Sequence, residues 1–269
     1  MSNAYQELWE TYGTNKGETY LQYKFQPTYR AGMTNFLREH QIYKLLDPQP
    51  TDVVLDVGCA SGRQLFQMAN RIARGVGVDI AQSFVDAAEK ERASHNIANL
   101  SFQQAFIEQL PFPDQSFDKI ICAEVLEHVF DKDVALKELL RLLKPGGSLM
   151  ITVPHLNSDG TWWGRLLRIL RVRRFTPLQV FSMDELAKHG DAHVREFTKK
   201  TMRSWLAAYP LDIQKMTSVS YLDGPGVPWI LKILLHVSIT QRLIIGLENA
   251  ISATGWLWGR HLVVLAKKR

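Results

Sequence analysis

The sequence predicts an α/β fold: a seven-stranded sheet, mostly parallel with an antiparallel last strand, and helices on both faces. Three observations predict it. Short apolar runs at 53–57, 75–80, 100–104 and 118–123 alternate with stretches of helical periodicity, the order that builds parallel sheets. The first run passes straight into the glycine-rich turn Gly58-Cys59-Ala60-Ser61-Gly62, and a helical pattern starts at Gln64. The last apolar run, 261–266, is short and C-terminal, which suits an antiparallel edge strand.

The elements follow in order. Tyr5, Leu8, Trp9 and Tyr12 share one helical face before 13–17 interrupts it. An aromatic-dense stretch follows, and Phe36 to Leu46 resumes an apolar stripe that stops before Pro48. These N-terminal helices are expected to pack on the sheet edge or to cover the ligand site. Val53–Val57 is a buried parallel strand, bounded before by Pro48, Pro50 and Asp52. The second strand ends in Asp79, which lies 17 residues after Gly62. Asp131 and Asp133 open a helix through Leu143, which Lys144-Pro145-Gly146-Gly147 closes. The fifth strand is 148–153. Thr198 is the N-cap of a helix over 199–209, the sixth strand is 212–222, and the seventh ends the chain.

Composition bounds the function. Of 269 residues, 46% are apolar, enough for a full core, so global disorder is excluded. The two cysteines, Cys59 and Cys122, are too few for a disulfide framework, and a reducing cytoplasm is expected. The first ten residues are polar and carry Glu7 and Glu10, unlike a signal peptide. No run reaches the roughly 18 apolar residues that a spanning helix needs.

Strand, glycine turn and helix together make a nucleotide-type site, because glycines let backbone approach a ligand and a helix N-terminus adds positive potential. A dinucleotide fingerprint needs G-x-G-x-x-G. Here Gly58, Ala60 and Gly62 alternate, and Arg63 stands where the third glycine would be. Asp79 at a strand end can accept both hydroxyls of a ribose, or cap the helix that starts at Gln82.

The pattern Asp56-x-Gly58-x-Ala60-x-Gly62 resembles motif I of the class I S-adenosylmethionine-dependent methyltransferases, which usually carry Gly at the middle position. Glu108-Gln109-Leu110-Pro111-Phe112, followed by Ser116-Phe117-Asp118, is similar to a second stretch of that family. The resemblance covers about residues 50–155 and the small-molecule members of the family. It implies a Rossmann-like fold, S-adenosylmethionine as cofactor and an N-terminal lid over residues 1–50. It also implies contacts to the methyl donor from Asp56, Gly58, Cys59, Ala60 and Gly62 in the turn. Further contacts would come from Asp79 and Ile80, from Phe106, Ile107 and Glu108, and from Ala123. Phe106 departs from the family, many of whose members carry Asp there to accept the adenine amino group. It is expected to stack on adenine, with Glu108 facing solvent.

Methyl transfer from a sulfonium is an in-line displacement that needs positioning and, for some acceptors, a base, but no covalent nucleophile. The base candidates are His128, in Glu124-Val125-Leu126-Glu127-His128, and His155 after the fifth strand. The Glu-x-x-Glu-His run is similar to that of ubiquinone-pathway O-methyltransferases. Three roles stay open for it: positioning, base, or two carboxylates and an imidazole around a divalent ion. His189 and His193 read as loop or packing residues.

The chain reads as one domain, 1–269, with a cofactor-binding core at 51–155. Two insertions, 156–190 and 223–258, are expected to shape the acceptor site or a membrane-facing cap. In the first, Trp162, Trp163, Leu166, Leu167, Ile169 and Leu170 share a helical face opposite Arg165, Arg168 and Arg171. That is the composition of an interfacial helix. The second holds Val227 to Leu235, apolar nearly all round. The expected function is methyl transfer to a small or lipid-like acceptor; the insertions either pack on each other as a cap with the arginines solvated, or make peripheral contact at the inner membrane surface through 162–174. The alternatives are a binding subunit of the same fold without activity, and an RNA methyltransferase. Against the latter, Ala123-Glu124-Val125 replaces the Asn-Pro-Pro-Tyr type of sequence that base-modifying enzymes place after strand four.

Overall fold

The computed structural model describes residues 32–155, 197–219 and 261–269, with Glu7, Glu10, Thr11, Thr14, Gly246 and Ala250. The first insertion and, apart from Gly246 and Ala250, the second lie outside the described residues, as do His189 and His193.

Helix α1 (Gly32–Leu46) precedes β1 (Val53–Val57), α2 (Arg63–Met68), β2 (Arg74–Asp79), α3 (Gln82–Ser94), β3 (Leu100–Gln104) and β4 (Phe117–Ala123). Then come α4 (Lys132–Leu142), β5 (Leu143–Pro154), α5 (Lys199–Leu206), β6 (Leu211–Val219) and β7 (His261–Lys268). The seven strands form one sheet in the order β3-β2-β1-β4-β5-β7-β6. β1 pairs in parallel with β2 and β4, and β7 pairs antiparallel with both β5 and β6. Chain order reverses between β1 and β4, the place where open α/β sheets hold their ligands.

β7 is therefore an inner strand, not the edge strand that its position in the chain suggested. Its residues explain the correction. Leu262, Val263 and Val264 are all fully buried, so consecutive side chains pack on both faces. β6 carries polar Asp212, Gln214 and Lys215 and takes the edge. Other boundaries move by a few residues. β5 starts at Leu143, which pairs with Phe117, and the register then shifts to Lys119 against Ser148, with Gly146 at a left-handed φ of 72° inside the irregularity. α5 ends at Leu206, because the chain turns at Tyr209 and Pro210 into β6. β6 begins at Leu211, and residues 220–222 fall outside the described residues.

Two apolar clusters sandwich the sheet. One joins Leu136, Leu139, Met202 and Leu206 of α4 and α5 to Leu149, Ile151 and Val153 of β5. The other joins Ile42 and Leu46 of α1 and Leu65 of α2 to Val54, Met150 and Val263. α1 thus packs on the face of β5, β6 and β7, rather than on the sheet edge. Thr198 caps α5 as expected, in a reciprocal box with Thr201. Asp133 ties α4 to α5 and the turn after it, within the same layer, by accepting from Trp205 Nε1 at 2.6 Å and Tyr209 OH at 2.5 Å.

Candidate active site

The turn after β1 uses its amides internally. Gly58 N and Cys59 N both donate to Val78 O, at 2.8 and 3.0 Å, and Gly62 N donates to Cys59 O at 2.8 Å. Ala60 N donates to Asp79 Oδ2 at 2.8 Å. The expectation that these N–H groups face a ligand is corrected: four of the turn's amides are already satisfied by protein. A pyrophosphate cradle needs free amides, and this turn is not one.

What lines the turn instead is buried acid. Asp56 is fully buried, and neither carboxylate oxygen has a hydrogen-bond partner among the described residues. Burial, then repulsion from Asp79 and Glu39, pushes its carboxyl well up. Burial likewise raises Glu39, although Arg63 pairs with it at 2.9 Å and Gln67 donates to it at 3.0 Å. Asp79 bridges two turns, because its Oδ1 accepts from Ala81 N at 3.0 Å and its Oδ2 from Ala60 N. It is pushed up to about 6 by burial, against the pull of those backbone hydrogen bonds. A cluster of buried acids in this state is electrostatically incomplete, and a cationic ligand completes it.

Backbone shape is equally specific. Gly58 and Gly62 have φ of 70° and 79°, in the left-handed region that glycine adopts freely. Ala60 occupies the same region at φ 45°, where its hydrogen bond to Asp79 holds it. Around the turn, Cys59 is buried and burial raises its thiol well above the usual range, so it is not a nucleophile. Ile80 O accepts from Gln104 Nε2 at 2.8 Å. Ala123 is buried at the end of β4. Past β3, Phe106 is half-buried and belongs to neither core cluster, whereas Ile107 packs in the core. Glu108 does not simply face solvent: it is half-buried, and its shielded Oε2 has no hydrogen-bond partner among the described residues.

Of the two base candidates, His128 is 7% exposed and His155 only 1%. His128 Nε2 lies 3.9 Å from Glu127 Oε1, and His155 bridges to Phe197. Glu124 has other partners. Its Oε1 accepts from Thr152 Oγ1 at 2.8 Å, and its Oε2 meets His261 Nδ1 at 2.9 Å and Arg38 Nη1 at 3.5 Å. The two glutamates of the run therefore do not converge. Among the described residues no group of three or more His, Cys, Asp or Glu is arranged to hold a metal ion.

Sequence reasoning missed two participants. Glu10, from the N-terminal segment, supplies the cap that α3 lacks, accepting from Gln82 N at 2.7 Å and Gln104 Nε2 at 3.1 Å beside Asp79. His261 was read only as the start of a strand. Neither has a local signal, because both act across more than 70 residues of chain.

Residues 48–209 match a methyltransferase domain family. The chain belongs to that family. Its methyltransferase domain implies S-adenosylmethionine as cofactor. An uncharacterized methyltransferase, YcgJ of Bacillus subtilis, is 29% identical over 170 residues, covering 60% of this chain and 59% of the relative. A ubiquinone biosynthesis O-methyltransferase of Coxiella burnetii is 39% identical over 104 residues, 39% of this chain and 44% of the relative. The chain thus spans less than two thirds of both relatives. A crystal structure of a SAM-dependent methyltransferase from Aquifex aeolicus superposes with a TM-score of 0.56 at 14% identity, covering 91% of this chain and all of that one. At that identity the likeness shows the fold alone.

The methyltransferase site fits its cofactor on its own evidence. Asp79 keeps one lone pair on each oxygen after its two backbone bonds, enough for two ribose hydroxyls. One prediction follows from the sign of the Asp79 shift. Ribose hydroxyls and a cation both favour its ionised form, so binding expels a proton and acid opposes it. Calorimetry with S-adenosylhomocysteine is expected to show affinity falling below pH 6, by up to about tenfold per unit, and Asp79→Asn removes that component of the slope. In the free protein the folded state holds the Asp79 proton more tightly than the unfolded chain. Its stabilising contribution is present below about pH 4 and lost as pH rises through about 6.

Proposed function

We propose that the chain transfers a methyl group from S-adenosylmethionine to a small or lipid-like acceptor. The acid-lined turn carries this reading: four amides closed, the Asp56 carboxyl without a hydrogen-bond partner among the described residues, and Asp79 placed between Ala60 and Ala81. When bound, the cofactor supplies a methyl group already activated by sulfonium charge. Asp79 orients the ribose, Asp56 and Glu39 balance the positive end, and Phe106 covers the adenine. The edge where β4 and β5 end and β7 begins faces the acceptor. The named ubiquinone O-methyltransferase supports a hydroxyl on an apolar molecule as the acceptor class.

Membrane contact through 162–174 is part of the proposal. Its support is the separation of Trp and Leu from Arg165, Arg168 and Arg171 in the sequence, since each Arg near an anionic surface adds about 1 kcal/mol. The two buried free cysteines support a reducing, cytoplasmic setting.

Labelled S-adenosylmethionine incubated with lipid extract, a panel of simple phenols, or RNA tests the acceptor class. Label is expected in the lipid or phenol fraction. Label in RNA alone overturns the class, and binding of S-adenosylhomocysteine with no transfer to any fraction identifies a non-catalytic subunit. Co-sedimentation with anionic vesicles at low salt tests the surface. Binding that survives Arg165, Arg168 and Arg171 all changed to Glu would sink the membrane contact.

A further inference from the structure

A second polar cluster lies on the same sheet edge, where β4, β5 and β7 end or begin. Glu124 follows Ala123 and sits at φ 58°, a left-handed conformation that costs a non-glycine residue about 1–3 kcal/mol. Two bonds to one residue hold it there: Glu124 N donates to Thr152 O at 2.8 Å, and Thr152 Oγ1 donates back to Oε1 at 2.8 Å. The strain aims Oε2 across β5 at the first residue of β7. His261 is paired with Pro154 of β5 and Val219 of β6, and its Nδ1 lies 2.9 Å from that oxygen. Arg38 reaches the same oxygen from α1 at 3.5 Å. All three side chains are only 13–18% exposed.

The protonation of this cluster follows from its geometry. Burial alone would raise Glu124, but His261, Arg38 and Thr152 hold it below the usual carboxylate range, and Arg38 and Thr152 do so with the ring neutral, so the carboxylate is ionised and only accepts. Nδ1 must then be the donor. In the neutral ring the lone pair is on Nε2, to which no described residue is hydrogen-bonded. Arg38 keeps a cation beside Glu124 whether the ring is charged or not, so Glu124 has no cause to take the ring's proton. An ionised carboxylate fixing the tautomer of a half-buried imidazole is the arrangement of a general base. The chain leaves β5 into residues 156–196 and returns into β7 from 220–260 at this same edge.

We infer that His261 is the catalytic base for a protic acceptor, a hydroxyl in the simplest case, with Glu124 as its positioning residue. The inference rests on the methyl-transfer reading above. As the acceptor oxygen bonds to the methyl carbon, its proton passes to His261 Nε2. The carbon–sulfur electron pair stays on sulfur, a sulfonium becomes a neutral thioether, and the imidazolium then returns its proton to solvent. His128 and His155, both more deeply buried, hold structure around this edge.

Two readouts test it. In protein labelled with ¹⁵N-histidine and saturated with S-adenosylhomocysteine, long-range proton–nitrogen spectra at pH 8.5 are expected to show His261 as the Nδ1–H tautomer, and Glu124→Gln mixes the tautomers. In the labelled-methyl assay with lipid extract or phenols, His261→Gln is expected to lower kcat by about 10²- to 10⁴-fold. S-adenosylhomocysteine affinity stays within twofold by calorimetry, and Glu124→Asp recovers more activity than Glu124→Ala. An Nε2–H tautomer in the wild type, or His261→Gln turning over at the wild-type kcat, overturns the inference. Failure of the methyl-transfer reading looks different: the wild type would not bind S-adenosylhomocysteine, or would transfer no label. The tautomer measurement still decides the geometry in that event.

Discussion

Asp79→Ala is expected to weaken S-adenosylhomocysteine binding by about 10- to 150-fold in a protein that remains folded. The carboxylate is 7% exposed and joins the turn after β1 to the start of α3 through Ala60 N and Ala81 N. Each of its two oxygens keeps a lone pair, one for each ribose hydroxyl. Losing hydrogen bonds to a charged group costs about 1.5–3 kcal/mol, and each 1.4 kcal/mol is tenfold in affinity. Folding is not expected to fail with it. Burial makes the ionised Asp79 a stability cost in the free protein at neutral pH, which offsets the loss of its two backbone bonds. Calorimetry measures the affinity, and circular dichroism confirms the fold. Unchanged affinity in a folded variant would remove the ribose role and with it the central claim about the site.

The largest stability effect is expected at Gly62. Its φ of 79° costs any other residue about 1–2 kcal/mol. A Cβ there would also stand 2.5 Å from both Cε1 and Cζ of Phe102 and 3.0 Å from Phe66 Cε2. Phe102 cannot retreat. Its ring fills the space left by Gly77 on the other side, where a Cβ would meet Phe102 Cδ1 at 2.4 Å, and it packs on Phe66 at 5.4 Å between centroids. Forced overpacking of this kind costs about 1–3 kcal/mol, so Gly62→Ala is expected to destabilise by about 2–5 kcal/mol in urea unfolding. The steric share is separable. Adding Phe102→Leu to Gly62→Ala should recover part of the loss, because the two sites touch and their effects are not additive. A double variant as unstable as the sum of the single ones would show that backbone strain carries the whole effect.

Much of this protein was legible before its structure. The strand-turn-helix at 53–68, the acid ending β2 and the cap at Thr198 are local features. Each is set by residues within a few positions of one another, so periodicity, glycine spacing and capping chemistry reveal them. The apolar run at 262–266 was read correctly as a strand. Its place in the sheet was not, because an inner strand and a short edge strand differ in what covers their second face.

The site divides along the same line. The sequence singled out Asp56, Gly58, Gly62 and Asp79 as candidates, since they lie on consecutive elements, β1, the turn after it and the end of β2. Only the tertiary structure decided what surrounds them. Whether the turn offers amides or carboxylates depends on where Val78 O and Asp79 Oδ2 lie, and those belong to the neighbouring strand. The pairing of Glu124 with His261 depended on tertiary structure altogether. Glu124 and His261 are 137 residues apart in the chain and 2.9 Å apart in space. A one-dimensional pattern pairs Glu124 with Glu127 and His128, its neighbours in the chain. The sheet pairs it instead with β7, because strand order sets which side chains share an edge.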